Sequence, residues 1–130
     1  MKHLKIASAI FAATLAPAFF TGCSTVLPVS SSYTEPVYER GSLVFTLQNP
    51  IDSVSTAVEK ALREDLKLAI INVAKDAICA EFEARTAQDQ KVRVRLNYNT
   101  DKSTIIDIRV GLIGDQIISR QILDAVKARL

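Results

Sequence analysis

From position 41 onward the hydrophobic positions follow two periods in turn. Ser42 to Leu47 sets Leu43, Phe45 and Leu47 on one side of an extended segment, the alternation of a strand. Asn49-Pro50 ends it, and Asp52 or Ser53 is placed to cap a helix. Val54, Ala57, Val58, Ala61, Leu62 and Leu66 then recur at helical spacing, with Glu59, Lys60, Arg63 and Glu64 mostly on the other face. Leu68 to Val73 is apolar and β-branched, which predicts a second strand. Lys75-Asp76 interrupts it as a turn or a bulge. Ala77 to Arg85 predicts a third strand with Ile78, Ala80, Phe82 and Ala84 facing in. After the Gln88-Asp89-Gln90 loop, Lys91 to Tyr98 turns Val92, Val94, Leu96 and Tyr98 inward. Asn99-Thr100-Asp101-Lys102 is a polar turn, and Thr104 to Val110 is the fifth strand, with Ile106, Ile108 and Val110 inward. Gly111 to Gly114 ends the sheet. Asp115 is placed to cap a last helix, in which Ile118, Ile122, Ala125, Val126, Arg129 and Leu130 share a face.

One-faced helices beside strands that are apolar on one side pack as two layers. The expected fold is therefore α+β: a two-layer sandwich with a mainly antiparallel sheet of about four to five strands, one face covered by two helices. The expected order is β-α-β-β-β-β-α over residues 41–130. That length suits a single small core.

The chain upstream reads differently. Met1-Lys2-His3-Leu4-Lys5 is basic, and Ile6 to Phe20 is apolar but too short to span a bilayer as a helix, which takes about 20 residues. This is the layout of a secretory signal, with a retained membrane helix as the alternative. Two exits fit it. Ala16-Pro17-Ala18 has the small-x-small form of an ordinary cleavage site, which Pro17 hinders. Phe20-Thr21-Gly22-Cys23 resembles a bacterial lipobox, in which the sulfur of Cys23 carries a diacylglyceryl group and cleavage falls just before it. The second accounts for a Cys placed where the apolar run gives way to Ser24-Thr25. Residues 1–22 are thus expected to be a lipoprotein signal peptide, with lipid attached at Cys23. More than one acyl chain gives a stable anchor. Ser24 after the Cys implies, by the same resemblance, the outer membrane. Residues 24–40 are rich in Ser and Thr, carry Pro28 and Pro36, and lack a sustained period. They are expected to complete a flexible tether, 23–40, reaching about 50 Å when extended.

Charge changes the picture once the signal is set aside. Lys2 and Lys5 are the entire excess of 16 basic over 14 acidic residues, so the chain from residue 23 is formally neutral. A neutral domain offers no electrostatic case for nucleic acid. The only His, His3, lies in the signal. The domain therefore lacks a Ser-His or Cys-His pair and an imidazole metal site, so neither catalysis nor a cofactor is expected. With Cys23 assigned to lipid, Cys79 is left unpaired. Its alternation turns it outward, where it is either an inert small side chain or a reactive thiol. There is no Trp, which argues against a stacking platform.

The outward strand positions carry chemistry of another kind. They place Glu81, Glu83 and Arg85 beside Lys91, Arg93 and Arg95, and these beside Asp107 and Arg109. Opposite charges on neighbouring strands stabilise a solvated sheet face. The same face, through Arg93, Arg95, Glu81, Glu83 and Arg109, is a candidate docking surface for another envelope protein. The neighbouring arginines lower the pKa of such carboxylates, which suits them poorly to acid–base work. Gly111-x-x-Gly114-Asp115 has neither phosphate-loop spacing, and Asp115 repels anions, so it reads as a strand-to-helix turn. Gly111 and Gly114 supply backbone angles closed to other residues.

Ile105-Ile106-Asp107-Ile108-Arg109-Val110-Gly111-Leu112-Ile113-Gly114-Asp115, then Ser119-Arg120-Gln121-Ile122-Leu123 and the closing Lys127-Ala128-Arg129-Leu130, resemble the signature of the DUF3568 family, small bacterial lipoproteins of unknown function. Arg40-Gly41 before the first strand and Lys75-Asp76 ahead of the third are similar too. Where family members tend to have Gly after the first helix and in the third strand, this chain has Lys67 and Cys79. The resemblance implies an envelope lipoprotein and supplies no activity. The expected function is a membrane-anchored envelope lipoprotein serving as a non-catalytic structural or adaptor module. The alternative is a soluble periplasmic domain that binds a small ligand between its helices and sheet. Nothing in the sequence indicates an oligomeric state.

Overall fold

The computed structural model describes residues 33–130. The lipobox with Cys23 and most of the expected tether lie outside the described residues. Six strands form one antiparallel sheet: β1 (Val37–Glu39), β2 (Ser42–Leu47), β3 (Ala69–Lys75), β4 (Cys79–Arg85), β5 (Lys91–Thr100) and β6 (Ser103–Val110), in the spatial order β1-β2-β6-β5-β4-β3. Helix α1 (Ile51–Lys60) follows β2 and continues as a π-helical turn, Ala61–Asp65; helix α2 (Gln116–Lys127) follows β6. Helix α1 packs on β4, β5 and β6, and α2 on β2 and β6, with the two helices in contact. The fold is α+β.

Register explains where the core sits. Leu43 pairs with Ile108, Ile108 with Val94, Val94 with Phe82, and Phe82 with Val73, so one row of apolar side chains crosses five strands. A second row runs from Phe45 through Ile106 and Leu96 to Ala80. The helices cover these rows with Val54, Val58 and Leu62 from the first helical segment and Ile122, Leu123 and Val126 from α2, all fully buried. Burying each such aliphatic side chain contributes about 1.5–3 kcal/mol. Phe45 lies at the margin, where Lys127 Nζ stands 3.9 Å from its ring centroid.

Several expectations need correction. The sheet has six strands, and the order is β-β-α-β-β-β-β-α. The extra strand is β1, which lies in the stretch expected to be tether. Its three residues are too few to show a period, and it exists only because β2 offers an edge to pair with. Tyr33 is tied down as well: its N–H donates to Thr46 Oγ1 at 3.1 Å, and its carbonyl accepts from Thr46 N–H at 3.2 Å. The start of α1 is capped by neither Asp52 nor Ser53. Pro50 occupies the cap position in an extended conformation without a side-chain bond, since its ring sets φ at −65°. Lys75-Asp76 is a strand end followed by a turn. Asp76 Oδ1 accepts from Ala77 N–H at 2.7 Å and Asp76 N–H donates to Cys79 O at 2.7 Å, which delays β4 to Cys79. Ile78 therefore sits in the turn, 62% exposed, rather than facing the core. The irregularity in β3 falls instead between Ile70 and Asn72. Tyr98 is 44% exposed. Its hydroxyl donates to Asp101 Oδ1 at 2.6 Å, and this bond holds the phenol above its ordinary pKa.

Two helix ends are also decided by contacts. The first helical segment finishes with Leu66 N–H donating to Ala61 O at 3.0 Å, five residues back, and Lys67 then takes φ +51°. Left-handed backbone favours glycine, so Lys67 stands in strained geometry where the family resemblance had pointed to Gly. Helix α2 stops at Lys127, so Arg129 and Leu130 do not continue its face. Arg129 reaches back to the π-helical turn, with Nε 2.6 Å from Asp65 Oδ2 and the guanidinium 2.9 Å from Glu64 Oε2. That hydrogen bond holds the Asp65 carboxyl below the usual range.

Gly41 (φ +82°) and Gly114 (φ +100°) meet backbone to backbone. A Cβ on Gly114 would collide with Gly41 O and the Tyr38 hydroxyl, and one on Gly41 with Ile113 O. This seam joins the β1–β2 turn to the β6–α2 loop. We expect Gly114→Ala to destabilise the fold by about 1–3 kcal/mol, from strain at a left-handed angle plus the collision, measured as a lower urea midpoint. Ser55 gives the opposite expectation. It is buried in α1 and its Oγ has no hydrogen-bond partner. Ser55→Ala should stabilise by about 1 kcal/mol, because it removes an unsatisfied hydroxyl and installs the best helix former.

Candidate functional site

The face of the sheet opposite the helices is set by the same register. Ser42 pairs with Arg109, Arg109 with Arg93, Arg93 with Glu83 and Glu83 with Asn72. The next row runs from Val44 through Asp107 and Arg95 to Glu81. The five residues singled out from the sequence, Glu81, Glu83, Arg93, Arg95 and Arg109, thus occupy one face across three adjacent strands. Cys79 shares it by alternation, half-buried and opposite Asn97.

Between β4 and β5 the charges alternate in sign and bond. Arg95 Nε donates to Glu81 Oε2 at 3.1 Å, Lys91 Nζ lies 3.0 Å from Glu83 Oε1, and an Arg93 terminal nitrogen lies 3.5 Å from the same oxygen. Arg93 Nε is 3.3 Å from Glu81 Oε1 yet makes no hydrogen bond, so its contribution there is a charge contact without directional bonding. Lys91 chiefly holds the Glu83 carboxyl below the usual range by its hydrogen bond, against a smaller opposing effect of burial.

Between β5 and β6 the expectation of opposite charges holds for only half of the pairs. Arg95 faces Asp107, but Arg93 faces Arg109. Two guanidinium groups opposite each other repel. Arg109 turns aside and donates to Leu112 O at 2.7 Å, and it forms no ion pair with a carboxylate among the described residues. Beside it lies a cleft of about 620 Å³ bordered by Asp89, Lys91, Arg93, Arg109, Gly111 and Leu112. A smaller one of about 130 Å³ lies between Ser42, Arg95 and Asp107. Three cations against the single carboxylate of Asp89 give the cleft a positive balance, and it is open to solvent on one side, so it suits contact with an anionic group rather than a reaction that must exclude water.

The glycine-rich turn beside the cleft has its helix N-terminus already filled. Asp115 Oδ1 accepts from Ile118 N–H at 3.0 Å, as its capping position predicted. The backbone angles expected at Gly111 and Gly114 are found, at φ +71° and +100°. Among the described residues no group of three or more His, Cys, Asp or Glu side chains could hold a metal ion. None of the described helices is long and apolar enough to cross a membrane.

Sequence reasoning passed over Leu112 and Ile113. Their side chains are 94% and 90% exposed, and Ile117 in the first turn of α2 is 73% exposed. The available signal was two large apolar residues between glycines, in a loop where polar residues are usual.

The carboxylate ladder predicts a pH response. Glu83 has a folded pKa below its ordinary 4.5, so its bonds add stability above that value, and the contribution is lost as pH falls through the folded pKa. Glu83→Gln should lower Tm at pH 7 and leave it unchanged in acid below that folded value, as thermal melts across a pH series would register.

No curated protein matches this chain. A family model described as a protein of unknown function does match, over residues 5–129, which is nearly the whole length. The chain therefore belongs to the DUF3568 family.

Proposed function

We propose that this protein is a lipid-anchored lipoprotein of a bacterial envelope, attached through Cys23 to the outer membrane with its domain facing the periplasm, and that it is a non-catalytic structural or adaptor module. One observation carries the adaptor reading: both helices cover the same face of the sheet, which leaves the charged rows from Arg109 to Glu83 and from Asp107 to Glu81 uncovered. A rigid, polar sheet face with fixed charge order suits recognition of a complementary protein surface. The placement at a membrane draws its support from Phe20-Thr21-Gly22-Cys23 following a basic start and an apolar run.

The cleft beside Lys91, Arg93 and Arg109 favours a second reading, a soluble periplasmic domain that takes a small anionic ligand. It differs from the first at Cys23 and in where a ligand would sit. The space between helices and sheet, where a ligand had been expected, is filled by Phe82, Leu43, Leu62 and Ile106.

Intact-mass analysis of protein purified from its own envelope tests the anchor. Cleavage before Cys23 with a diacylglyceryl addition supports it. A bare sulfur, or an N-terminus at Phe19, overturns it in favour of the soluble form. For the adaptor reading, reversing Arg93 and Arg95 to Glu should abolish site-specific crosslinking to an envelope partner while the domain still melts cooperatively. Retained crosslinks would remove this face from the proposal.

A further inference from the structure

One end of the sheet gathers three chain turns. The β1–β2 turn at Arg40-Gly41, the β4–β5 loop at Thr86–Gln90 and the β6–α2 loop at Gly111–Asp115 meet there, since Gly41 abuts Ile113 and Gly114, and Gly111 N–H donates to Lys91 O at 2.7 Å. From this end Leu112 and Ile113 project almost wholly into water, with Ile117 largely exposed beside them. The backbone of their loop packs closely against Gly41 at the Gly41–Gly114 seam, and Arg109 donates to the carbonyl of Leu112. Three large apolar side chains at a braced tip are costly to leave in water unless they have somewhere to go.

The charges around the tip indicate where. Arg40 and Arg109 form no ion pair with a carboxylate among the described residues, and Lys91 lines the cleft beside Leu112. Of the nearby carboxylates, Asp89 is engaged by Arg85 at 2.7 Å and Asp115 by the helix cap at 3.0 Å, which leaves Glu39. Apolar side chains flanked by Arg40 and Arg109, two cations without a carboxylate partner among the described residues, complement a bilayer surface, with hydrocarbon below and phosphate groups at the level of the cations.

We infer that the Leu112-Ile113 tip, with Ile117, is a lipid-contacting surface that seats this end of the domain on a bilayer bearing anionic phosphate headgroups, with Arg40 and Arg109 at headgroup level. The inference rests on the membrane-anchored reading above, which brings the domain to a bilayer. The chain length allows both contacts at once. The ten residue steps from Cys23 to Tyr33 span at most about 33–36 Å. Tyr33 is bonded beside Thr46, and the four-residue path from there to Ser42 at the tip end covers only about 14 Å. An acylated Cys23 and the tip can therefore occupy one leaflet, which would hold the open charged face side-on to the membrane and free for a partner.

The chain has no Trp, so a single Trp substitution is a clean reporter. Ile113→Trp and, at the β5–β6 turn on the far end, Lys102→Trp are each made in the full chain. Each is mixed with or reconstituted into vesicles of phosphatidylcholine with phosphatidylglycerol, or of phosphatidylcholine alone, carrying brominated acyl chains. Emission from position 113 should shift to shorter wavelength and lose most of its intensity in the anionic vesicles, while that from position 102 stays as in buffer. Arg40→Gln with Arg109→Gln should lower the affinity for anionic vesicles, read from a quenching titration, by about fivefold per cation, the effect of roughly 1 kcal/mol per charge near the surface. Quenching that this double variant leaves intact overturns the role of the two arginines. Equal, solvent-like emission from positions 113 and 102 overturns the proposal. So does a shift at position 113 that grows with protein concentration without vesicles, which would make the tip a contact between copies of the chain. Intact mass of the same preparation keeps the two readings apart. An acylated Cys23 with an unquenched tip sinks this inference alone, whereas a bare Cys23 with a quenched tip supports it and sinks the anchor.

Discussion

The register of the sheet is the constraint on which everything else depends. Because side chains alternate strictly along a strand, the pairing that lines up Leu43, Ile108, Val94 and Phe82 under the helices also lines up Ser42, Arg109, Arg93 and Glu83 on the other side. A slip of one residue in any pair would exchange an apolar row for a charged one. The core therefore protects the order of the charged face. The ion pairs of that face are only partly shielded from solvent and each contributes little beside the core.

A second constraint works at the end of the sheet. Close backbone approach at Gly41 and Gly114 pins the edge hairpin to the β6–α2 loop. In this arrangement the loop leaves Leu112 and Ile113 facing outward. The repulsion between Arg93 and Arg109 acts in the same region. There Arg109 donates to Leu112 O, and the cleft lies beside the apolar tip. Polar face, cleft and tip thus form a continuous arrangement around Arg109, with the ladder on one side of it and the tip on the other.

Legibility of the candidate site followed the range of the interactions. Alternation along β4, β5 and β6 was enough to put Glu81, Glu83, Arg93, Arg95 and Arg109 on one face, because that depends only on local period. Which charges would meet was another matter. The Arg93–Arg109 pairing follows from the length of the turn between β5 and β6, and the irregular pairing between Tyr98 and Thr100 shifts it by an amount that no local pattern encodes. The exposed tip is not legible in the sequence, because Leu112 and Ile113 have the apolar character of core residues and only their surroundings in the fold leave them in water.

By itself the sequence determined the class of the fold, most of its strands, the core face of both helices, the Asp115 cap and the left-handed glycines at Gly111 and Gly114. Each of these rests on a period or on a neighbour within a few residues. Tertiary structure alone decided that Val37–Glu39 joins the sheet, that the first helix ends in a π-helical turn clasped by Arg129, and that Ile78 and Tyr98 fall outside the core. It also decided that Arg93 faces Arg109. These depend on partners distant in the chain: a three-residue strand has no stability without the edge it pairs with, and a helix end is placed by the ion pair that reaches it from sixty-four residues away.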